Sequence, residues 1–397
     1  MKKLLLALAA STMLAGSAIA AGHSPVKIGV ILGFTGPIES LTPHMADGAE
    51  LAMQEVSDSG MLLDGVKVES VRADSTCIDS AAAQAAAERL ITSDKIAAIM
   101  GADCSGVTGA ILANVARANG VVMISPSATS PALSTAEDDG LFFRTAPSDA
   151  RQGEVLASIL KDKGIKSVAV TYTNNDYGKG LSDAFISSFE GMGGSITINA
   201  PHEDGKGDYS AEVGALAQAG GDLLVVLGYS DQGGKGIIRG ALDSGAFDTF
   251  AMGDGMYGDK LLEDIGEGMN GTIGSVPWSE GEGADAFVKL MKDAGKNPDS
   301  SFTRESYDAA ALILLAMQKG GAATSEAAKA HVMDVANAPG EKILPGELGK
   351  ALEILKNGGD VDYVGATNVE LIGPGEAAGT YREYEVKEGK YETIKFR

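Results

Sequence analysis

The chain has 397 residues, 44% of them hydrophobic, and a formal charge of −22 at pH 7. So acidic a protein repels phosphate backbones, which argues against a nucleic-acid partner. Its length exceeds what one average core fills, so two lobes are expected.

The first 24 residues, MKKLLLALAASTMLAGSAIAAGHS, place Lys2 and Lys3 before an apolar stretch and a small-x-small site at Ala18 and Ala20. This is the pattern of a cleavable secretory signal over residues 1–20. Ser11, Thr12 and Gly16 break the apolar stretch, which falls short of the roughly 20 residues a spanning helix needs. Ser17 stands where a lipoprotein box requires Cys, so the expected mature chain starts near Ala21, unlipidated and without membrane insertion. Export bears on Cys77 and Cys104, the only two cysteines: an even count in an oxidising compartment favours a disulfide, with a free buried thiol as the alternative. The four histidines (His23, His44, His202, His331) are scattered without zinc-like spacing, so neither a metal nor a cofactor is expected.

Downstream, β-prone apolar runs alternate with helical patterns. VKIGVIL (Val26–Leu32) precedes Met45, Ala49, Ala52, Met53 and Val56 at helical spacing, then a strand at 66–71 and an Ala-rich helix at 80–90. A strand at 96–100, a helix at about 107–118 and a strand at 121–124 complete the first series. The second series runs through a strand at 167–172, a helix near 181–189, a strand at 195–200, a helix near 211–219, LLVVL (Leu223–Leu227), the apolar run 237–242 and FAM (Phe250–Met252). Repeated βαβ units predict an α/β protein of two doubly wound parallel sheets. Residues 302–319 are apolar nearly all round after the first turn and predict a buried helix.

Open α/β sheets place ligands at the carboxyl ends of their strands. Here those tips read GFTGPIES, GADCSG and SPSATSP in the first half, and TNNDYG, GYSDQ and GDGMYG in the second. Such residues populate any surface turn, but six tips rich in Gly, hydroxyls and carboxylates on two sheets suggest the facing rims of a cleft.

In that order and spacing, KIGVILGFTGPIES, DGAELAMQEV, ADSTCIDSAAAQAAAERL, GADCSGVTGA, ISPSATSPALS, FRTAPSDARQG and NNDYGKGL, with the Tyr229 and Asp254 tips, resemble the leucine/isoleucine/valine-binding family of periplasmic solute-binding proteins of ABC transporters. The resemblance covers essentially the whole mature chain. It implies a type I periplasmic binding fold whose three hinge crossings lie near 144–147, 273–277 and 379–382. The lobes would then be 24–145 with 276–380, and 146–275 with 381–397. The family's lobe-one disulfide falls on Cys77 and Cys104, where it would pin the turn presenting Ser105.

The resemblance also implies a ligand site. Ser105 and Thr129 would offer hydroxyls, with nearby amides, to a carboxylate; the Ser127 carbonyl, the Thr129 hydroxyl and Asp254 would hold an ammonium, beside Ala128; Tyr177 and Tyr229 would close from lobe two. Bland roles compete: Thr129 suits a turn before Pro131, Tyr229 an outer core position, and Asp254, between two glycines, a turn. Departures from the family pattern fall where the ligand's side chain would lie: Leu41 replaces an aromatic, Glu39 stands beside it, and Asp254 replaces a longer glutamate. Phe34, Trp278 and Phe302 are further lining candidates whose default role is packing, and Glu39 and Asp231 either favour a polar or cationic ligand group or are solvated.

The expected function is capture of an amino acid or related small zwitterion by hinge closure and delivery to an inner-membrane permease. Rival readings are a sensory protein for amides or small carboxylates and an exported hydrolase. For the latter, GYSDQGGKG lacks the Ser or Thr that follows a P-loop Lys. The strand after residue 32 runs into GFTGP rather than a dinucleotide fingerprint, and no G-x-S-x-G elbow surrounds Ser105 or Ser230.

Overall fold

The computed structural model describes residues 24–397; the leader read at 1–20 therefore lies outside the described residues. The first series of runs folds into β1 (Val26–Leu32), β2 (Val68–Asp74), β3 (Ala98–Gly101), β4 (Met123–Ser125) and β5 (Phe142–Arg144). The second gives β6 (Ser167–Thr173), β7 (Ser195–His202), β8 (Leu223–Leu227), β9 (Phe250–Met252) and β10 (Ile273–Pro277). Beyond them lie β11 (Glu341–Ile343), β12 (Val361–Tyr363), β13 (Leu371–Ile372), β14 (Glu376–Ala377), β15 (Tyr381–Lys387) and β16 (Lys390–Phe396).

Two seven-stranded sheets result, ordered β13-β14-β5-β4-β3-β1-β2 and β16-β15-β10-β9-β8-β6-β7, with β11 and β12 forming a separate pair. Five strands in each are parallel in the same 2-1-3-4-5 order. The purely parallel expectation fails at the edges: β13 runs antiparallel to β14, and β15 antiparallel to both β10 and β16. For β13–β14 and β15–β16 the cause is connectivity, since a short turn joins each pair and only antiparallel pairing allows that; β15 meets β10 only after the chain has passed back through the first sheet. The chain leaves the first sheet after β5, returns to that side after β10, and enters the second sheet again at β15.

The parallel strands are buried on both faces, which is why they read as unbroken apolar runs. Helix Thr42–Ser59 buries Met45, Ala49, Ala52, Met53 and Val56 on one stripe, and stops at Gly60 in the left-handed conformation, φ 65°. It lies against helix Thr303–Gly320, whose side chains from Thr303 to Gln318 are buried throughout. At Gly48 the two backbones come so close that an added Cβ would sit 2.3 Å from the Thr303 carbonyl oxygen. The helix expected at 302–319 is thus the central pillar of the first lobe. Among the described residues no helix is long and apolar enough to cross a membrane.

Candidate functional site

In a 2-1-3-4-5 sheet the connections leave β1 and β3 on opposite faces, so a crevice opens at their carboxyl ends. Asp103, just past β3, fills this point in the first sheet. Its carboxylate accepts from the Gly33 N–H at 2.6 Å and the Ser75 hydroxyl at 2.7 Å, tying the ends of β1, β2 and β3 together. An added Cβ on Gly33 would meet Asp103 Oδ2 at 2.9 Å, so glycine is required there. The next residue, Cys104, is bonded to Cys77 across a Cα–Cα distance of 5.1 Å and caps helix Ser105–Ile111. The disulfide therefore holds the turn that presents Ser105, and a bonded Cys104 is no nucleophile.

The remaining lobe-one tip is pinned from beneath. Arg144 is 1% exposed; it donates to the Ala128 and Ser130 carbonyls at 2.9 Å and pairs with Glu376 at 2.5 Å. Ser105 Oγ accepts from the Ser130 N–H at 3.1 Å, leaving its own proton to donate elsewhere. The Ser127 hydroxyl donates to the Asp103 carbonyl. The buried Thr129 hydroxyl has no hydrogen-bond partner among the described residues.

Lobe two supplies the facing rim. Asn175 caps helix Asp176–Gly191 through the Gly178 N–H, which places Tyr177 in its first turn. Tyr177 stacks on Tyr229, with centroids 5.2 Å apart and planes at 19°. Its hydroxyl donates to Asp254 Oδ1 at 2.6 Å, so Tyr177 orients the carboxylate as well as walling the cleft. Gly255 admits this contact, because a Cβ there would lie 2.6 Å from the Gly228 oxygen and 2.9 Å from the Tyr177 hydroxyl.

Residues of both rims enclose one cavity. Its walls include Ser105, Ser127, Tyr177, Tyr229, Asp254 and Leu41 among the expected residues, together with Phe302. Ile38, Met45, Asp103 and Gly255 also line it, and the sequence reading had not assigned them. The cavity is only about 20 Å³, room for about one water; an amino-acid-sized molecule enters only if the rims part. Outside Leu41 a mouth of about 300 Å³ lies between residues 40–44, 257–263 and 297–300. It is bridged by Asp231, which accepts from the Ser40 N–H and hydroxyl at 2.8 and 2.9 Å, while its own N–H donates to the Pro37 carbonyl.

Six candidates do not line the cavity, and one of them, Thr129, is buried in the lobe-one tip just outside its wall. Phe34 lies under the Arg72 guanidinium, 5.5 Å from its ring centre. Glu39 is exposed. Trp278 is sandwiched between Arg304 and Arg382, at 3.7 and 3.8 Å. Ala128 acts through its carbonyl on Arg144 rather than as wall. Asp231 belongs to the bridge across the mouth. A larger groove of about 900 Å³ lies on the outside of lobe two between helices Ser210–Ala219 and Gly233–Ser244. Its Lys206 and Lys235 are paired with Glu212 and Asp264, and it contains no residue of the inner cavity wall.

Two carboxyls, Asp103 and Asp254, line the cavity. Burial pushes the Asp254 carboxyl up to about 6, against the opposing pull of the Tyr177 hydroxyl and Gly255 N–H. Asp103 is likewise raised by burial, opposed by its hydrogen bonds. Glu305, behind the site on the pillar helix, is pushed by burial up to about 8. Asp149, the first residue of helix Asp149–Asp162, is raised well above the carboxylate range by burial and then by the charge of Asp254. Among the described residues no group of three or more His, Cys, Asp or Glu is arranged to hold a metal.

Residues 25–344 match the model of the periplasmic binding protein family. The chain belongs to that family. It is a family of binding proteins and not an enzyme class. The chain is 31% identical over 321 residues to Leu/Ile/Val-binding protein homolog 3 of Brucella melitensis, covering 79% of this chain and 84% of the relative. It is 27% identical over 378 residues to the chemotactic signal transduction system substrate-binding protein BasB of Halobacterium salinarum, covering 93% and 89%. Among solved structures, the leucine binding protein LivK of Thermotoga maritima superposes with a TM-score of 0.78 at 25% identity, covering 94% of this chain and 98% of that one. The family and the two-lobed fold implied by the resemblance are thus established.

Proposed function

We propose that this chain is the extracytoplasmic solute-binding component of an ABC importer, exported by its 1–20 leader into the periplasm, which captures an amino acid or related small zwitterion by hinge closure. The observation that carries this reading is the polarity of the two rims: hydroxyls of Ser105 and Thr129 on one side, and the buried Asp254 carboxylate under two stacked tyrosines on the other. A zwitterion needs that arrangement, since a buried ion is costly without a mate. Ligand docks on lobe one, and lobe two gains contacts only in the closed form, so binding shifts the population toward closure. The aligned lobes are then what a permease recognises. The lobes divide at 145/146, 275/276 and 380/381.

The test is titration of the mature protein with a panel of amino acids, amides and small carboxylates, followed by Trp278 fluorescence and thermal unfolding. At least one amino acid raises the unfolding midpoint in proportion to the logarithm of its concentration. A panel without effect, or release of an altered product, defeats the proposal. A sensory role is the second reading, supported by the likeness to the halobacterial chemotaxis protein; a genomic neighbourhood with permease and ATPase genes favours transport.

A further inference from the structure

We infer that Gly180 is a positioning residue for capture: its bare face is the seat on which the lobe-one tip comes to rest, and it sets how closely Tyr177 and Asp254 approach Ser105 and Ser127. This rests on the closure reading above and adds to it the residue that fixes where closure stops.

Gly180 lies in helix Asp176–Gly191, three residues after Tyr177 and therefore on the same face. Opposite it stands Pro131, which follows the Ser127–Ser130 tip in sequence. A Cβ added to Gly180 would lie 2.8 Å from Pro131 Cδ and 3.1 Å from Ser130 Oγ. Carbon atoms in contact sit about 3.5–4.0 Å apart, so any side chain at 180 parts the two surfaces by roughly half an ångström or more. The helix follows β6 of the second sheet and the tip follows β4 of the first, so the contact is one between lobes.

Neither surface yields easily. Pro131 Cδ belongs to a ring and has no other rotamer to move into. Ser130, just before it, is fixed at both backbone groups: its N–H donates to Ser105 Oγ and its carbonyl accepts from the buried Arg144. On the helix side, Asn175 accepts from the Gly178 N–H, and a Cβ on Gly178 would sit 2.2 Å from the Thr173 carbonyl oxygen, so the first turn is pressed against the end of β6. The lobes also meet over a glycine beside the mouth, where a Cβ on Gly258 would lie 3.0 Å from Leu41 Cδ2. That neighbour is the far end of a side chain that can change rotamer, so the hard stop is at Gly180. Gly180 and Pro131 border an outer crevice of about 430 Å³ that shares no lining residue with the inner cavity. Residue 180 therefore acts on the ligand through the spacing of the lobes and not by touching it.

The test is isothermal titration with L-leucine, or with whichever panel amino acid stabilises the protein most, of wild type, Gly180→Ala, Gly180→Leu and the joint Gly180→Ala, Pro131→Ala variant, with release timed by Trp278 fluorescence. Gly180→Ala is expected to weaken binding about tenfold through faster release, and Gly180→Leu to weaken it further. The joint variant, which removes the opposing ring, is expected to recover most of the loss. The ligand-free unfolding midpoint of Gly180→Ala should not fall, because the open form accommodates the methyl group and Ala is the better helix former. Gly191→Ala, on the same helix but with no atom within 4 Å of its added Cβ, should bind as wild type does. Equal affinity of wild type and Gly180→Ala, or a loss that Pro131→Ala does not repair, overturns the inference while leaving the amino-acid site standing. If no amino acid binds wild type, the site reading falls and this inference with it.

Discussion

The two rims of the cleft are held together by different means, covalent and ionic on lobe one and by hydrogen bonds and ring stacking on lobe two. On lobe one, the Cys77–Cys104 bond, the Asp103 clamp on Gly33 and Ser75, and the buried Arg144 beneath residues 128–130 fix the three tips against one another. On lobe two, no disulfide or buried arginine is present among the tips, which are joined by the stacked tyrosines, the Tyr177–Asp254 hydrogen bond, the Ser230 N–H on the Gly255 carbonyl and the Asp204 carboxylate on Thr173 and the Gly233 N–H. A preformed docking face opposite a face completed by closure is what economical capture requires, because groups already ordered cost no further entropy on binding.

The comparison can be broken most severely at the disulfide. Joint Cys77→Ser and Cys104→Ser substitution removes a cross-link spanning 27 residues and should lower stability by about 3–4 kcal/mol on the loop-entropy estimate. Denaturant unfolding measures the loss, and ligand affinity should fall too because the Ser105 turn loosens. Asp254→Ala should leave stability nearly unchanged, or raise it by removing a buried carboxyl, while weakening amino-acid binding by about 2–3 kcal/mol; calorimetric affinity separates this profile from that of the disulfide variant.

Next in size is the pH response of the ligand-free protein. Asp254 and Asp308 are raised by burial to about 6, and Glu305 to about 8, from ordinary values near 4. Raised carboxyls favour the folded state below their unfolded values and lose that contribution as pH climbs through the folded ones. Between about pH 4 and 8 the unfolding free energy should fall, the aspartates losing their contribution by about 6 and Glu305 by about 8, by up to about 1.4 kcal/mol per pH unit for each group. Glu305→Gln should flatten the upper part of that slope. His202 acts in the opposite sense: burial lowers it to about 4, so its contribution is complete above 6.5 and is lost as pH falls toward 4. The smallest effect is expected at the mouth, where Asp231→Ala removes two hydrogen bonds to Ser40. Closure should weaken by about 1 kcal/mol, seen as faster ligand release with little change in stability.

What the sequence made legible follows the same physics. The parallel strands were visible because burial on both faces demands unbroken apolar runs, as in Leu223–Leu227 and Phe250–Met252. The two- and three-residue strands at β11 to β14 carry too little pattern to register, and β15 and β16 mix buried and exposed positions at a sheet edge. At the site, the rule that strand ends face the crevice points to the tip segments, and the resemblance to the family singles out Ser105, Tyr177, Tyr229 and Asp254 within them; all four line the cavity. Phe34 and Trp278 carry packing as their default role, and side-chain direction is set by partners elsewhere, two arginines in the case of Trp278.

The most direct measurement is a crystal structure of the protein grown with the amino acid that stabilises it best. The account predicts the unaltered molecule between the rims, its carboxylate at Ser105 and Thr129 and its ammonium against Asp254, with Tyr177 and Tyr229 over it. A ligand seated in the outer groove of lobe two, one chemically changed, or one reversed so that its carboxylate faces Asp254 would contradict it.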